Sequence, residues 1–474
     1  MESTAHNFVQ NARDAIDNPT LQDALSRFDK GLSVKRKLAV ERLPEFDELR
    51  HAARDIKDHV LENLDYYLER FEQKVTESGG QVHWCADAEE ARRAVLKICR
   101  DAGARTVTKA KSMIGEEIAI NDFLERQGIR PVETDLGEYI IQLRKEPPSH
   151  IIAPAVHLSK EQVADAFREH HKQFPEARSL EEPKVMLEEA RSVLRGEFLG
   201  ADVGITGANM LIAETGSIAL VTNEGNADLT QTLPRVQIVI ASLEKVVPTL
   251  EDASTILRVL ARSATGQELS VYTTFTTGPR RPGDLDGPEE FHVLLLDNGR
   301  TKMLGSEFHE MLRCIRCGAC INHCPVYGAI GGHAYGWVYS GPVGAVLIPN
   351  LIGDEEAGHL PNASTLCGRC EEVCPMGIPL PRMLRQLRER QYEHGLMPRS
   401  VRSGLKGWAF LARRPGLYQL VTRIGVTVIG ALARNRGRFT RLPFAGGWTK
   451  SRDLPAPQGR TFQQLWSARG GQRQ

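Results

Sequence analysis

Residues 314–325 read C-I-R-C-G-A-C-I-N-H-C-P, and the interpretation of the whole chain starts from them. Their cysteines follow the C-x₂-C-x₂-C-x₃-C-P spacing of bacterial iron–sulfur proteins. Soft thiolates bind iron well, and cysteines separated by two residues on a tight loop can reach neighbouring irons of one cubane. Because proline cannot continue a helix through its own position, it redirects the chain and sends the fourth cysteine away from the first three.

A second, shorter run, C-G-R-C-E-E-V-C-P, occupies residues 367–375, so seven of the nine cysteines lie in one short region. In two-cluster ferredoxins the last cysteine of a run ligates the other cluster. This rule divides the cysteines into two ligand sets for two [4Fe-4S] clusters. Cluster 1 takes Cys314, Cys317, Cys320 and Cys374, and cluster 2 takes Cys324, Cys367 and Cys370.

Cluster 2 is then one thiolate short. By register with the first run, its first ligand would be residue 364, which is Ser364. Three arrangements stay open: Ser364 or another residue ligates the fourth iron, that iron keeps a solvent ligand, or the site holds a [3Fe-4S] cluster. Cys85 and Cys99 are further candidate ligands, as are the histidines that flank the runs. These histidines are His309, His323, His333 and His359.

Zinc and disulfides are the alternatives for these cysteines. Seven thiolates in this arrangement fit a four-ligand zinc site poorly, and disulfide frameworks belong to small secreted chains. This chain has 474 residues, and residues 1–18 lack the apolar core of a signal peptide. No run reaches the length of a membrane-spanning helix, because Arg423 interrupts the apolar stretch 417–433. We therefore expect a cytoplasmic protein, in which thiols stay reduced.

Charge is distributed unevenly, although Lys plus Arg and Asp plus Glu both number 60. From residue 381 onward there are 19 Lys and Arg against 3 Asp and Glu. Such a basic tail is expected to dock against an acidic surface, which could be the protein's own body, a partner subunit or the inner face of a membrane. We expect no nucleic-acid partner. The basic region spans 396–474, and its last twenty or so residues are expected to be largely flexible.

Hydrophobic patterning divides the rest of the chain. Residues 1–75 carry apolar positions at three- and four-residue steps, which indicates helices. In residues 76–300 short apolar segments alternate with amphipathic ones, which predicts an α/β domain with a mostly parallel sheet. The predicted strands are 104–108, 132–135, 151–154, 208–213, 217–222, 236–241, 271–276 and 291–296, and the predicted helices are 114–127, 161–172, 183–196 and 250–262.

Residues 301–395 are expected to form a helical two-cluster ferredoxin-like domain. Helices are predicted at 307–312 and 381–392, on either side of the cysteine runs. The stretch 327–360 is glycine-rich. Two interpretations of it stay open: backbone that passes close to the clusters, or a long connecting loop.

The order of these parts resembles the lactate utilization protein B family, the iron–sulfur subunit of a three-protein L-lactate oxidation system. Four stretches carry the resemblance: K-A-K-S-M-I at 109–114, P-P-S-H-I-I-A-P-A-V-H-L at 147–158, A-E-T-G-S-I-A-L-V-T-N-E-G-N at 213–226 and C-I-R-C-G-A-C at 314–320. The resemblance implies an α/β domain similar to the sugar-phosphate isomerase and CoA-transferase fold. It also implies partner subunits and a role in L-lactate oxidation to pyruvate. In that family the second cysteine run is likewise short by one.

The expected chemistry is electron transfer. Clusters bound by thiolates carry single electrons, so two of them form a relay. Oxidising a 2-hydroxy acid also needs a base for the hydroxyl proton and a cation for the carboxylate, and no sequence pattern pairs such residues. His83, His150 and His157 lie in the α/β part and are more simply structural. We therefore assign no catalytic residue and expect a non-catalytic subunit.

Two alternatives stay open in the α/β part. Glu214, between two apolar runs, could be the nucleophile of an enzyme similar to CoA-transferases, although a turn glutamate is the simpler interpretation. The stretch T-N-E-G-N at 222–226 could offer backbone N–H groups to an anion. The same relay could also serve another 2-hydroxy acid, such as glycolate.

Overall fold

The computed structural model describes residues 3–28, 31–433, 437–441, 449 and 452–470. The chain forms two compact units, with the boundary between Arg390 and Gln391. The first unit contains the N-terminal helices, the α/β domain and both cysteine runs, and the second is the basic tail. The finer division into 1–75, 76–300, 301–395 and 396–474 stays a prediction.

A parallel sheet lies at the centre of the α/β domain. The strands of the described residues are β1 (Gln81–Cys85), β2 (Thr106–Lys109), β3 (Arg130–Glu133), β4 (Val203–Thr206), β5 (Met210–Ile212), β6 (Ser217–Thr222), β7 (Val236–Ser242), β8 (Val246–Val247), β9 (Tyr272–Thr276), β10 (Glu290–Leu296), β11 (Arg438–Phe439) and β12 (Leu454–Pro455). Six of them form the sheet in the order β1-β10-β7-β4-β2-β3, and every pair is parallel. All residues of β4 and β7 are buried, as expected for a parallel sheet covered on both faces.

A second sheet has the order β8-β5-β6-β9. Its strands β5 and β6 pair antiparallel across the turn 213–216, as the two apolar runs predict. Gly216 has φ +69°, and a Cβ there would lie 2.6 Å from the backbone of Lys74. Only glycine therefore fits this turn against the helix that precedes the domain.

Helices cover both cysteine runs and the sheet. The helices of the described residues are α1 (Phe8–Asp17), α2 (Pro19–Phe28), α3 (Leu32–Glu41), α4 (Phe46–Glu62), α5 (Leu64–Glu77), α6 (Ala88–Asp101), α7 (Met113–Glu117), α8 (Ile120–Arg126), α9 (Leu136–Arg144), α10 (Lys160–His170), α11 (Pro183–Gly200), α12 (Asn226–Thr232), α13 (Leu250–Ala264), α14 (Ala319–Asn322), α15 (Pro325–Ile330), α16 (Gly341–Ile352), α17 (Asp354–Ala357), α18 (Arg369–Glu372), α19 (Leu380–Glu393), α20 (Arg399–Ala412), α21 (Pro415–Ala433) and α22 (Phe462–Gly470). Short 3₁₀ turns include Leu243–Lys245 and His309–Arg313.

The N-terminal helices pack against the cysteine-rich part. Helices α1 and α2 contact α15, α3 contacts α14, and α4 contacts both α13 and the 3₁₀ turn His309–Arg313. One hydrophobic core joins these helices to α13, α16 and the cysteine runs. The N-terminal segment therefore encloses the candidate cluster region.

The structure confirms the α/β alternation and the parallel sheet, but several predicted elements are wrong. Residues 151–154 form a bend and the start of a turn instead of a strand. The predicted helix 114–127 is two helices, α7 and α8, because Ala119 between them has φ +51°. The glycine-rich stretch 327–360 is not a long loop, since it contains α15, α16 and α17, and residues 341–349 of α16 are all buried. The helix expected at 307–312 is the 3₁₀ turn His309–Arg313.

The tail also differs from the prediction. Helix α21 spans 19 residues and is long and apolar enough to cross a membrane by length and composition alone, which is weak evidence for one such helix. The expectation that no run reaches this length is therefore wrong, because Arg423 does not end the helix. Residues 462–470, within the stretch expected to be flexible, form α22, and residues 471–474 lie outside the described residues.

Candidate iron–sulfur centres and the adjacent cavity

Each cysteine run starts a short helix in the same way. Gly318 and Gly368, each directly after a cysteine, have φ of +72° and +85° and precede α14 and α18 respectively. A left-handed residue followed by one helical turn directs two cysteines separated by two residues, and the N–H groups between them, toward one point. The tight loops expected from the spacing are therefore present in both runs.

The structure places the seven cysteine side chains in two neighbouring groups. Burial first, and then the nearby thiols of Cys374 and Cys314, raise the pKa of Cys317 to about 12. Burial first, and then the nearby thiols of Cys324 and Cys367, raise the pKa of Cys370 to about 12. The pKa of Cys320 is raised well above its ordinary value by burial and by thiols of both groups, Cys370 included. These interactions group Cys317 with Cys314 and Cys374, and Cys370 with Cys324 and Cys367, and the assignment of the cysteines to two clusters stays a prediction.

Backbone N–H groups point at the cysteine sulfurs. Such bonds stabilise a thiolate and tune the potential of a cluster bound to it. The N–H donors are Ala319 to Cys317, Val326 and Tyr327 to Cys324, Arg369 to Cys367, Glu371 to Cys370, and Met376 and Ile378 to Cys374.

This donor set fits iron–sulfur cubanes. Among the described residues, no three His, Cys, Asp or Glu side chains lie close enough together to hold a single metal ion. A cubane makes a different demand, because each thiolate binds its own iron and the sulfurs stand farther apart. When bound, such clusters would supply one-electron transfer. The chain's own residues hold them, enclose them and set the charge around them.

Buried cations surround the first group of thiols, and the sequence did not reveal them. Lys57, Lys245 and Arg316 each interact with the thiol of Cys314. Arg36, on α3, interacts with Cys317 and Cys374 and donates to the carbonyl of Val373 at 2.9 Å. An all-thiolate cluster is an anion, so these cations favour its more negative, reduced state. Of these cations, only Arg316 could be linked to the cysteines from the sequence alone, because it lies within C-I-R-C.

Glu244 ties this charge network together. Burial alone would raise its pKa, but Arg300, Arg316 and Lys245 hold it at about 2. Its carboxylate lies 3.2 Å from Nε of Arg300 and 3.4 Å from Nη2 of Arg316. Burial lowers the pKa values of Lys57 and Lys245 to about 8. The network joins the carboxyl end of β7 to the first cysteine run.

The candidate ligands for the incomplete second set have other partners. The hydroxyl of Ser364 accepts the N–H of Leu366 at 3.0 Å. Cys85 and Cys99 lie in the core of the α/β sheet, where burial raises their pKa values to about 11 and 12. Three of the flanking histidines bond to the backbone: His309 accepts from Gly305, His323 donates to Ala319, and His333 donates to Pro147. The fourth, His359, is exposed and directly precedes a 3₁₀ turn.

His150 is a structural residue that joins the α/β domain to the first cysteine run. Its Nδ1 accepts the N–H groups of Ile152 and Ala153 at 3.1 Å each, so Nε2 carries the proton and donates to Oδ1 of Asn322 at 2.9 Å. Burial lowers the pKa of His150 to about 3. These bonds explain why residues 151–154 form a bend and the start of a turn instead of a strand.

Other candidate residues also have structural roles. Glu214 is exposed, and its carboxylate accepts the N–H of Leu250 at the start of α13, 3.3 Å away, as expected of a turn glutamate. Nε2 of His83 lies 3.1 Å from Nδ1 of His292 in the neighbouring strand. Nε2 of His157 lies 2.8 Å from Glu146.

A cavity of about 300 Å³ lies beside the first cysteine run. It is lined by residues that follow strands of the parallel sheet, among them Ser112, Asn209 and Lys245, and by Arg316. The stretch 222–226 contributes Asn223, so the suggested anion loop does border this cavity. Glu214 is not among its lining residues.

Family models match three consecutive parts of this chain. The LUD domain matches residues 68–296, the 4Fe-4S dicluster domain residues 310–378, and the C-terminal domain of lactate utilisation protein B residues 381–471. The fold and the cysteine sites thus define an iron–sulfur protein in which an α/β LUD domain precedes a 4Fe-4S dicluster domain.

Relatives match over nearly the whole length. Lactate utilization protein B of Bacillus licheniformis is 43% identical over 99% of this chain and 98% of its own. The protein of the same name from Bacillus subtilis (strain 168) is 42% identical over 98% and 96%. An "Uncharacterized electron transport protein YkgF" of Escherichia coli (strain K12) is 41% identical over 96% and 95%. The chain belongs to the lactate utilization protein B family.

Among solved structures, a DUF162 family protein from Deinococcus radiodurans aligns with 49% of this chain and 98% of its own, at 16% identity and a TM-score of 0.29.

Proposed function

We propose that this chain is an electron-transfer subunit in the oxidation of L-lactate to pyruvate, which relays single electrons through two [4Fe-4S] clusters to another subunit or acceptor. Membership of the family and the dicluster domain make it an iron–sulfur subunit of lactate utilization. Our proposal adds to this the passage of electrons through the two clusters. In this proposal its substrate is L-lactate, with glycolate as the alternative.

The observation that carries the relay is the closeness of the two thiol groups. The thiol of Cys320, in the first group, interacts with that of Cys370, in the second. Clusters held on these sulfurs would be near neighbours, and electron transfer falls off steeply with distance. Two one-electron carriers are also the number needed to receive the electron pair from one 2-hydroxy acid.

The second cluster has three cysteine ligands in this proposal, Cys324, Cys367 and Cys370. Its fourth iron then has a non-cysteine ligand, or the site holds a [3Fe-4S] form. The exposure of Cys367 supports a ligand from solvent, since water reaches this side of the second group. The likeness of the α/β domain to sugar-phosphate isomerases and CoA-transferases also belongs to the proposal, and the all-parallel six-stranded sheet supports it.

We include in this proposal the other subunits of a lactate oxidation system as partners, a cytoplasmic location, and peripheral contact of the tail with the inner face of a membrane. Helices α20 and α21 support the contact, since they carry basic residues and no acidic ones. Their exposed apolar side chains are Val401, Leu405, Trp408, Phe410, Leu420, Val421, Ile424, Val428 and Leu432.

The test is purification without oxygen, followed by iron and sulfide analysis and electron paramagnetic resonance of the reduced protein. We expect about seven or eight irons per chain and two magnetically interacting signals. One cluster, or none, would overturn the relay. The protein should then reduce a dye with L-lactate when its co-purifying partners are present, and a complex that prefers glycolate would overturn the substrate assignment.

A further inference from the structure

The cavity lies where the topology of the α/β sheet predicts a ligand. After β2 the chain continues to β3 on one side, and after β4 it passes through β5 and β6 of the second sheet and returns to the first sheet as β7 on the other side. Adjacent strands whose connections diverge leave a crevice at their carboxyl ends, and ligands of open α/β sheets bind there. Residues directly after these two strands, Ser112 and Asn209 among them, line the cavity.

The buried end of the cavity is cationic. Lys245, which follows β7, is 8% exposed and interacts with Glu244, but within the described part of the chain its ammonium group forms no ion pair shorter than 4 Å. Nη2 of Arg316 bonds to Glu244 and its guanidinium lies over the ring of Tyr339, 4.9 Å from the ring centre, while Nε and Nη1 are buried without a hydrogen-bond partner among the described residues. Unsatisfied buried donors are costly, so two of them beside a lysine call for an anionic acceptor, and the open volume has room for one in addition to the thiolates of cluster 1.

The rest of the lining limits the size of that anion. Ile151, Leu220 and Leu260 contribute apolar walls, and Asn209 and Asn223 contribute amides. The volume of about 300 Å³ is at the lower limit for ligand pockets. Lys111, whose Nζ is fixed on the carbonyl of Ile152 at 2.6 Å, adds a third positive charge, and Asp135 and Glu224 add two carboxylates to the same lining, so the cations outnumber the acids by one. The site therefore suits a ligand of few heavy atoms with one carboxylate, and is small for a dinucleotide.

We propose that this cavity binds a small 2-hydroxy- or 2-oxo-monocarboxylate, with its carboxylate between Lys245 and Arg316. The choice of a 2-hydroxy- or 2-oxo-monocarboxylate from among the small anions rests on the proposed function. Because Arg316 lies between Cys314 and Cys317, the bound carboxylate would be next to cluster 1. This chain would thus carry the site at which the substrate or product of the system meets the relay.

The test measures binding to the cluster-loaded full chain, purified without oxygen. Calorimetry and the paramagnetic resonance of reduced cluster 1 are recorded with L-lactate, pyruvate and the unreactive analogue oxamate. Inorganic phosphate and sulfate are the competing anions. We expect the three monocarboxylates to bind and to shift the cluster 1 signal. No binding at millimolar concentrations, or tighter binding of phosphate, would overturn the inference.

Variants of residues that line the cavity test where the monocarboxylate binds. Lys245→Met should weaken binding roughly ten- to hundredfold, because it removes a charged donor. Arg36→Met is the matched control: Arg36 is also a buried cation beside the first group of thiols, but it does not line the cavity. Ala261→Leu fills the cavity without changing charge and should also abolish binding. Unchanged affinity in both Lys245→Met and Ala261→Leu, with full iron content, would overturn the site.

The two proposals fail separately. If monocarboxylates bind as expected but the clusters pass no electrons from the complex, the relay is wrong and the binding site stands. If the clusters relay electrons from lactate while no monocarboxylate binds this chain, the binding site is wrong and the relay stands.

Discussion

Arg316 and Leu366 have the same left-handed backbone conformation, with φ of +59° and +54°, and each directly precedes a cysteine of its run. Non-glycine residues seldom adopt this conformation, so the repetition indicates that the two runs are structural copies. In this register Ser364 corresponds to Cys314. Sequence spacing and backbone conformation therefore both place the missing cysteine ligand of cluster 2 at residue 364.

Replacing Ser364 with Cys should complete the second ligand set. We expect the variant to hold four irons at cluster 2 and to resist loss of iron on brief exposure to air, because each iron then has a thiolate. Iron analysis and the [3Fe-4S] resonance signal measure this. Asn362→Cys, at an exposed position two residues out of register, is the control and should behave as the unchanged protein. Equal iron loss in Ser364→Cys and in the unchanged protein would contradict the register.

If the last cysteine of each run ligates the cluster of the other run, single substitutions should remove clusters in an unusual pattern. Cys324→Ala should remove cluster 2, and Cys374→Ala should remove cluster 1, although each residue follows the ligands of the other cluster in sequence. Resonance spectra of the two variants distinguish the clusters. Cys85→Ala, in the core of the α/β sheet, should leave the iron content unchanged. Loss of cluster 1 from Cys324→Ala would show that each run holds its own cluster.

Removing a buried cation should lower the reduction potential of cluster 1. Arg36→Met deletes a charge beside Cys317 and Cys374, so the reduced cluster loses a favourable interaction. A shift of roughly 100 mV is expected for one charge about 7 Å from the cluster at an effective dielectric constant near 20. Potentiometric titration followed by resonance spectroscopy measures it. Arg54→Met, which removes a partly exposed arginine paired with Asp55, should leave the potential within error.

His150 should make the fold less stable in mild acid. Its pKa in the folded state is about 3, below that of an unfolded histidine near 6.5, so the unfolded chain binds the extra proton first. Stability is then fully present above about pH 6.5 and falls as the pH drops below that value, by up to about 1.4 kcal/mol per pH unit.

Thermal unfolding between pH 5.5 and 7.5 measures this slope. It should be shallower in His150→Gln, which cannot titrate, even though that variant is less stable at neutral pH. His51→Gln, at an exposed position, should keep the slope of the unchanged protein. Identical slopes in His150→Gln and the unchanged protein would show that His150 does not titrate in this way.

The tail should bind anionic vesicles. The protein is expected to sediment with vesicles of mixed anionic and zwitterionic lipid, less with zwitterionic vesicles alone, and less at high salt. Trp408→Glu should reduce the bound fraction several-fold, because an exposed aromatic side chain of α20 is replaced by an anion. Gln419→Glu, in α21, controls for the added charge. No sedimentation of the unchanged protein with either vesicle would contradict peripheral membrane contact.

Elements with strong local patterns were predictable, and the others were not. The continuous Val and Ile of β7 marked a buried strand, which the structure confirms. Strands β1 (Q-V-H-W-C) and β4 (V-G-I-T) escaped prediction because polar residues or a glycine interrupt their apolar residues, and their parallel neighbours stabilise them in the fold. Helix α16 was missed because its glycines and prolines disfavour a helix locally, while burial of residues 341–349 stabilises it in the fold.

Spacing along the chain identified the cysteines and the family, since ligands of one cubane lie close together in sequence and the loop between them is local. No such pattern connects Lys245 with Arg316, or Arg36 with Cys374. These pairs come from distant segments, and they meet because parallel strands end at one edge of the sheet and the N-terminal helices fold back over the cysteine runs. The charge around cluster 1 and the cavity beside it therefore depend on the packing of the whole first unit.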